Sequence, residues 1–174
     1  HALEEARQHF IRQEAFRVNA PSYQDAYGTF QGVLRPFQQY GASWLCHTGR
    51  ALLADEMGLG KTVQSLAALA STNSFPVLIV VPPHLVSNWH SEIDRFLRIN
   101  GKSPAVHIIR GIKPQSLPQA DVYLIHYLLL RGWKDALPEM RLKAVIFDEI
   151  QELRHRGTEK YSAASLLANS CAQV

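Results

Sequence analysis

The chain has 174 residues, of which 47% are hydrophobic and 19% are charged, as expected for one folded domain with its own core. No apolar run is long enough to span a bilayer and no signal peptide is visible, so we expect no membrane partner. The formal net charge of +3 is compatible with a nucleic-acid partner.

The two cysteines, Cys46 and Cys171, lie far apart in the sequence and within apolar surroundings. This usage is not that of a disulfide framework or a cysteine metal site. We therefore expect free thiols, no disulfide partner and an intracellular location, in the cytoplasm or nucleoid or in the nucleus. Because the chain begins at His1 rather than at a methionine, we expect it to be processed or, more simply, a fragment of a longer protein.

The first 32 residues are predicted to form an N-terminal helix and a connector that precede the main domain, residues 33–174. Leu3, Ala6 and Phe10 recur at helical spacing within the first eighteen residues. Proline and glycine then interrupt the pattern up to Gly32, which predicts irregular structure.

A second helix is predicted over Val33–Cys46, with Pro36 in its first turn. Four large apolar side chains recur along it at helical spacing: Phe37, Tyr40, Trp44 and Leu45. We expect these four to form the apolar side of the helix.

The next segment has the layout of a phosphate-binding loop. The apolar run Ala51–Ala54 predicts a buried strand, the turn at Gly58-Leu59-Gly60 follows, and a helix-like run begins after Lys61-Thr62. The glycines let backbone N–H groups approach a polyphosphate, and the helix dipole favours its negative charge. Since Asp55 stands where the usual pattern has its first glycine, the alternative is an ordinary turn and helix start.

This loop supplies the first candidate binding residues. A phosphate-loop lysine reaches the β- and γ-phosphates and the next hydroxyl ligates magnesium, which assigns these roles to Lys61 and Thr62. The backbone of the loop itself would surround the phosphates, and its residues are Asp55, Glu56, Met57, Gly58, Leu59 and Gly60. The sequence therefore predicts binding of ATP and Mg²⁺.

The rest of the chain alternates predicted strands with predicted helices, which indicates an α/β fold with a mostly parallel sheet and helices on both faces. The predicted strands are Val77–Val81, Val106–Ile109, Val122–Tyr127 and Ala144–Phe147. The predicted helices include one with Leu85, Trp89, Ile93 and Phe96 inward, one over Leu128–Leu137 and one over Tyr161–Ala168. For Trp89 we favour a core position, since large aromatic side chains at helical spacing usually pack.

Two acidic residues, Asp148 and Glu149, directly follow the last predicted strand. Ligands gather at the carboxyl ends of parallel strands, so these acids are expected beside the phosphate loop. There Asp148 would hold magnesium, and Glu149 would orient and deprotonate an attacking water. The alternative is a polar strand end that only caps the following helix.

Five segments together resemble, in order, the successive motifs of the Swi/Snf family, which are DNA-dependent ATPases of helicase superfamily 2. The segments are LRPFQQYGASWL, LLADEMGLGKT, VLIVVPPHLVSNWHSEIDRF, DVYLIHYLLLR and VIFDEIQELRH. The resemblance runs from Val33 to about Leu167. It implies that this chain is a RecA-like ATP-binding lobe. It also implies that the intact protein hydrolyses ATP to move on duplex DNA.

The resemblance also implies roles for individual residues. Gln38 would read the adenine edge, for which an amide can both donate and accept. Gln151, in place of the usual histidine, would couple the ATP site to the DNA site. The implied DNA-binding residues are Pro83, His84, Asn88, Tyr127 and Arg131.

Some of these roles have alternatives in the residues themselves. The corner at Pro83 and His84 could be a simple turn, and Tyr127 could equally be a core residue at a strand end. His126 stands where the family more often has Ser or Thr, and Ile150 replaces a small Ala.

The resemblance implies a second RecA-like lobe as a partner within the same chain, which supplies arginines to the γ-phosphate. Since the chain stops near Val174, before the next expected motif, we expect residues 33–174 alone to bind nucleotide weakly and to hydrolyse it negligibly. The alternatives are another superfamily 2 RNA or DNA helicase, a restriction-type motor, or a nucleic-acid-binding scaffold that does not hydrolyse ATP.

Overall fold

The computed structural model describes residues 22–155 and 157–174, and its centre is one parallel sheet. Its four strands are β1 (Val77–Val81), β2 (Val106–Ile108), β3 (Val122–His126) and β4 (Ala144–Phe147). They lie in the order β2-β3-β1-β4, and every neighbouring pair is parallel. The predicted α/β fold with a parallel sheet is confirmed, whereas the predicted N-terminal helix lies outside the described residues.

Four α-helices accompany the sheet in the described part of the chain. They are α1 (Pro36–Thr48), α2 (Lys61–Thr72), α3 (Val86–Phe96) and α4 (Glu159–Ser170). Pro36 begins α1, where its missing N–H is no loss, and the Thr158 hydroxyl caps α4 by accepting a bond from the Tyr161 N–H. None of the described helices has the length and apolar content needed to cross a bilayer.

Short 3₁₀ helices follow three of the strands and connect the remaining elements. They are Pro83–Leu85, Tyr127–Trp133, Pro138–Met140 and Ile150–Leu153. The α-helix expected over Leu128–Leu137 is therefore wrong in type and bounds. Gly132 in this segment lies so close to the chain at Ile112 that an added Cβ would stand 2.0 Å from the Ile112 carbonyl oxygen. The absence of a side chain at Gly132 allows this approach.

The two faces of the sheet carry separate cores, and β1 contributes to both because its side chains alternate between faces. Ile79 packs with α1, α2 and α3 on one face, and Leu78 packs with Tyr127–Trp133 and α4 on the other. All five β1 residues are fully buried, as predicted for a strand covered on both faces. β4, whose end carries the acidic residues of the candidate site, pairs with this buried strand.

The buried side of α1 differs from the expectation. Phe37 and Tyr40 are 41% and 47% exposed, whereas the small residues Gly41, Ala42 and Ser43 are buried. A Cβ added at Gly41 would lie 1.8 Å from the Gln64 side-chain oxygen. The helices α1 and α2 approach closely through small residues, which turns the large aromatic side chains outward.

The buried strand expected at Ala51–Ala54 is not formed. These residues have no regular secondary structure, and Leu52 is 66% exposed. The Ala51 N–H donates to the Val174 carbonyl at 3.1 Å, and Gln173 forms an isolated bridge with Ala144. The segment therefore runs beside β4 with a short ribbon of backbone between them, instead of joining a continuous ladder.

Candidate functional site

The loop before α2 has the backbone of a phosphate-binding turn. Gly58 and Gly60 have φ values of 83° and 76°, and Gly60 is the left-handed N-cap residue directly before α2. A Cβ at Gly60 would also stand 2.6 Å from the Gln38 amide nitrogen. Glycine at this position is therefore required by both backbone conformation and close approach.

The side chain of Lys61 turns back into this loop. Its ammonium group donates to the carbonyl oxygens of Asp55 at 2.8 Å and Glu56 at 3.1 Å. An ammonium group has three N–H donors, so these two bonds leave one that can be directed at a bound anion. The lysine is thus held at the loop before any phosphate contacts it.

A buried glutamine, Gln64, fixes the start of the loop, and the sequence reasoning did not identify it. Its amide nitrogen donates to the Asp55 carboxylate at 2.8 Å and contacts the Leu59 carbonyl at 3.4 Å. Gln64 is 0% exposed, and its side-chain oxygen has no hydrogen-bond partner among the described residues. The signal in the sequence is a polar amide at Gln64, two residues after Thr62 and shortly before the apolar run 66–70 of α2.

Gln38 lies on the other side of the loop. Its amide nitrogen donates to the Leu59 carbonyl at 3.2 Å, and its amide oxygen accepts from the Arg35 N–H at 3.0 Å. The residue expected to read adenine is therefore joined to the loop that would hold the phosphates. Its contact with the base stays a prediction.

Asp148 directly follows β4 and its backbone continues the ladder, since its N–H donates to Val80 at 2.9 Å. Its carboxylate accepts two bonds, one from the indole N–H of Trp89 at 2.7 Å and one from the Glu149 N–H at 3.0 Å. Its carbonyl accepts from the Tyr127 hydroxyl at 2.8 Å. Asp148 is thus held through its backbone and through both carboxylate oxygens.

Glu149 has a left-handed backbone with φ 54°, which is uncommon for a residue with a side chain. The Gln151 amide donates a hydrogen bond to its carboxylate. Residues held in such conformations cluster at active sites, where surrounding structure maintains the strain. The geometry therefore marks Glu149 as a candidate for a chemical role.

One cavity of about 460 Å³ brings the two halves of the predicted site together. Lys61 and Thr62 line it from the phosphate loop, and Asp148, Glu149 and Gln151 line it from the end of β4. Magnesium is usually held in proteins by one or two carboxylates together with phosphate oxygens and water. A hydroxyl at Thr62 and a carboxylate at Asp148 therefore fit that ion.

The residues expected to contact DNA lie outside this cavity. Pro83, His84 and Asn88 are exposed near the start of α3, and Arg131 is exposed on the segment after β3. Tyr127 differs from them, because it is 1% exposed and its hydroxyl holds the Asp148 backbone. Burial, with the nearby Asp148 carboxylate as the next cause, raises the pKa of Tyr127, so its hydroxyl stays a donor.

His126, at the end of β3, is half-buried, and its Nδ1 has no hydrogen-bond partner among the described residues. Burial lowers the pKa of this imidazole, which favours its neutral form. The position thus differs chemically from the Ser or Thr that the family resembled by the sequence more often has there.

Comparisons with known proteins agree with this architecture. The model of the SNF2-related domain family matches residues 37–171. The SWI/SNF-related matrix-associated actin-dependent regulator of chromatin subfamily A-like protein 1 of Xenopus laevis is 34% identical over 146 residues, covering 82% of this chain and 15% of that protein. The chromatin-remodeling ATPase INO80 of Arabidopsis thaliana is 29% identical over 162 residues, and the match covers 82% of this chain and 11% of that protein.

A solved structure has a similar fold. The Sulfolobus solfataricus SWI2/SNF2 ATPase core in complex with dsDNA superposes with a TM-score of 0.72 at 25% identity. The superposition covers 87% of this chain and 33% of that one. The RecA-like fold expected from the sequence is thereby confirmed.

Proposed function

Since the chain belongs to the SNF2-related domain family, we propose that it is the ATP-binding lobe of a DNA-dependent ATPase that moves on duplex DNA. The family expected from the sequence motifs is the one that its domain model matches over residues 37–171. The chain spans less than a fifth of the curated relatives named above. The hydrolysis cycle and the movement on DNA therefore belong to the proposal for the whole protein.

The observation that carries the proposal is that Lys61, Thr62, Asp148 and Glu149 line one cavity. Lys61, held by its two loop carbonyls, would direct its remaining N–H at the β- and γ-phosphates, and the N–H groups of Asp55–Gly60 would surround them. Thr62 and Asp148 would hold magnesium, which neutralises the charge that develops on the phosphates.

Glu149 is proposed to orient the attacking water and to accept its proton. Its carboxylate is held by the Gln151 amide, so a change at Gln151 would move the base. Gln151 is also proposed to couple the ATP site to the DNA site, as the family resemblance implies. Gln38, joined to Leu59 of the loop, is proposed to read the adenine edge.

Duplex DNA is proposed to contact the edge of the sheet where the strands end. The exposed residues Pro83, His84 and Asn88 would meet its backbone at the start of α3, and Arg131 would meet it beside β3. Tyr127 is buried, so its proposed effect on DNA binding would be indirect, through its hydrogen bond to the Asp148 backbone. The solved relative, whose structure contains dsDNA, supports duplex DNA over other polymers.

The second RecA-like lobe is proposed to close over the cavity and to supply arginines to the γ-phosphate, worth on the order of a thousandfold or more in rate. The described lobe alone is therefore expected to turn over ATP negligibly. Robust turnover by residues 33–174 without any further domain would contradict this division of roles.

The test is the ATPase rate of the full-length protein with duplex DNA, single-stranded DNA and RNA. We expect duplex DNA to stimulate most, and Lys61→Ala and Glu149→Gln to abolish turnover. Matched controls are Lys102→Ala and Glu139→Gln. Both residues are exposed, and each precedes the amino end of a strand, away from the carboxyl ends where the candidate site lies. Stimulation mainly by RNA would indicate another superfamily 2 motor, and activity independent of Lys61 and Glu149 would indicate a scaffold.

A further inference from the structure

Trp89 of α3 contacts Asp148, the predicted magnesium ligand. It is 2% exposed, and its indole N–H donates to the Asp148 carboxylate at 2.7 Å. Asn88, the preceding residue of α3, is exposed at the surface where DNA is proposed to bind. Trp89 also lines the cavity that contains Lys61 and Asp148.

The indole bond completes the restraint of Asp148. The second carboxylate oxygen accepts from the Glu149 N–H at 3.0 Å, and the backbone is held by Val80 and Tyr127. Each carboxylate oxygen has a further lone pair, so a metal or a metal-bound water can still bind. Donors of this kind orient a ligand and keep it ready for the metal.

We infer that Trp89 is a positioning residue that fixes the Asp148 carboxylate for magnesium through its indole N–H. The inference rests on the proposed function, because it assigns a support to the magnesium ligand of the same site. Packing alone would also explain a buried tryptophan, so the test must separate the N–H group from the volume of the ring.

Two substitutions make this separation. Trp89→Phe keeps a large apolar ring and removes the donor. Trp89→His removes more volume, but its five-membered ring overlays the pyrrole part of the indole, with Nε2 near the position of the indole nitrogen. If packing of the ring matters most, Trp89→Phe will weaken metal binding less than Trp89→His. If the N–H donor matters most, Trp89→His will weaken metal binding less than Trp89→Phe.

The matched control is Trp133→Phe. Trp133 is 1% exposed, and its indole N–H donates to the Gly111 carbonyl at 2.9 Å in the core on the opposite face of the sheet. Trp133→Phe therefore removes the same atoms as Trp89→Phe but leaves the hydrogen bonds of the Asp148 carboxylate in place. Thermal melting of each variant reports whether it folds.

The experiment uses the full-length protein with Mn²⁺ as the metal probe and a non-hydrolysable ATP analogue. Free Mn²⁺ is measured by electron paramagnetic resonance, and the Mg²⁺ concentration that half-saturates the ATPase is measured in parallel. We expect Trp89→Phe to weaken metal binding by about tenfold, a typical loss for a group that supports a metal ligand. Trp89→His should recover part of this loss, and Trp133→Phe should leave metal binding unchanged.

Equal Mn²⁺ affinity in wild type and Trp89→Phe would overturn the inference, as would an equal loss in Trp133→Phe or a larger loss in Trp89→His. If Trp89→Phe does not fold, the comparison of Trp89→His with wild type decides, and a tenfold or greater loss in that variant overturns the inference. A wild type that binds Mn²⁺ with the analogue but never hydrolyses ATP would contradict the proposed function alone. A wild type that binds no metal would contradict both.

Discussion

The fully buried amide of Gln64 donates a 2.8 Å hydrogen bond to Asp55, the residue that replaces the first glycine of the common phosphate-loop pattern. The carboxylate at this position therefore has a structural use. It anchors the start of the loop to α2, while Lys61 bonds to the carbonyls of the same turn.

Removing this anchor should loosen the loop. In Asp55→Ala, the buried Gln64 amide keeps only its 3.4 Å contact with Leu59, and an unsatisfied buried donor costs about 1–3 kcal/mol. We expect a lower free energy of unfolding in urea and weaker binding of ATP in a fluorescence titration. Asp135→Ala is the control, because Asp135 is exposed and lies far along the chain from the loop. Equal unfolding midpoints for the two variants would contradict the anchor.

Gly41 tests the close packing of α1 on α2. Alanine normally favours a helix over glycine by about 1 kcal/mol, but here the new Cβ would stand 1.8 Å from the Gln64 oxygen. We expect Gly41→Ala to destabilise the protein by about 1–3 kcal/mol, as overpacking does, and to weaken nucleotide binding through Gln64. Gly157→Ala is the control, since nothing lies within 4 Å of its added Cβ. A stabilised Gly41→Ala variant in thermal melting would show that the helices can separate at no cost.

Gly60 and Gly58 separate backbone strain from close approach. Both have positive φ values, so alanine at either costs about 1–2 kcal/mol in the left-handed region. At Gly60 the Cβ would also stand 2.6 Å from the Gln38 amide, whereas nothing lies near Gly58. We expect similar losses of stability, but a larger loss of discrimination between ATP and GTP in Gly60→Ala. Equal nucleotide preference in the two variants would remove Gln38 from base recognition.

His126 predicts a pH dependence of stability. Burial lowers its pKa in the folded state, so the unfolded chain binds the proton more readily. The contribution to stability is therefore full above the unfolded pKa of about 6.5 and is lost as pH falls through the lower folded value. We expect His126→Gln to lose less stability than wild type between pH 7 and pH 5 in urea unfolding. A similar flattening in His90→Gln, an exposed histidine of α3, would show that the effect is not specific to His126.

Local patterns in the sequence were enough to predict the sheet and the acidic strand end. The continuous run at Val77–Val81 has the predicted bounds, and Ile93 faces inward as its helical spacing indicated. Asp148 directly follows β4, as expected. Because the carboxyl ends of parallel strands lie at one side of the sheet, this also predicted which side carries the acid. These features depend on residues that are close together in the chain.

Features that depend on distant residues were not predictable in the same way. The buried side of α1 is set by Gln64 on another helix, and the bond between Trp89 and Asp148 joins residues 59 positions apart. The strand expected at Ala51–Ala54 has the right composition, but its backbone pairs with Val174 only at Ala51. The two residues of each pair lie too far apart in the chain for a local sequence pattern to include both.

Glu149 predicts a conflict between stability and activity. Its φ of 54° costs about 1–2 kcal/mol for a residue with a side chain, and glycine removes most of that cost. We expect Glu149→Gly to be more stable than Glu149→Ala by about 1 kcal/mol in thermal or urea unfolding, because only glycine relieves the strain. Both variants should lose ATP turnover, since each lacks the carboxylate that Gln151 holds. Equal stability would indicate that the backbone at Glu149 relaxes freely, and the strain would then have no part in holding the base toward the cavity.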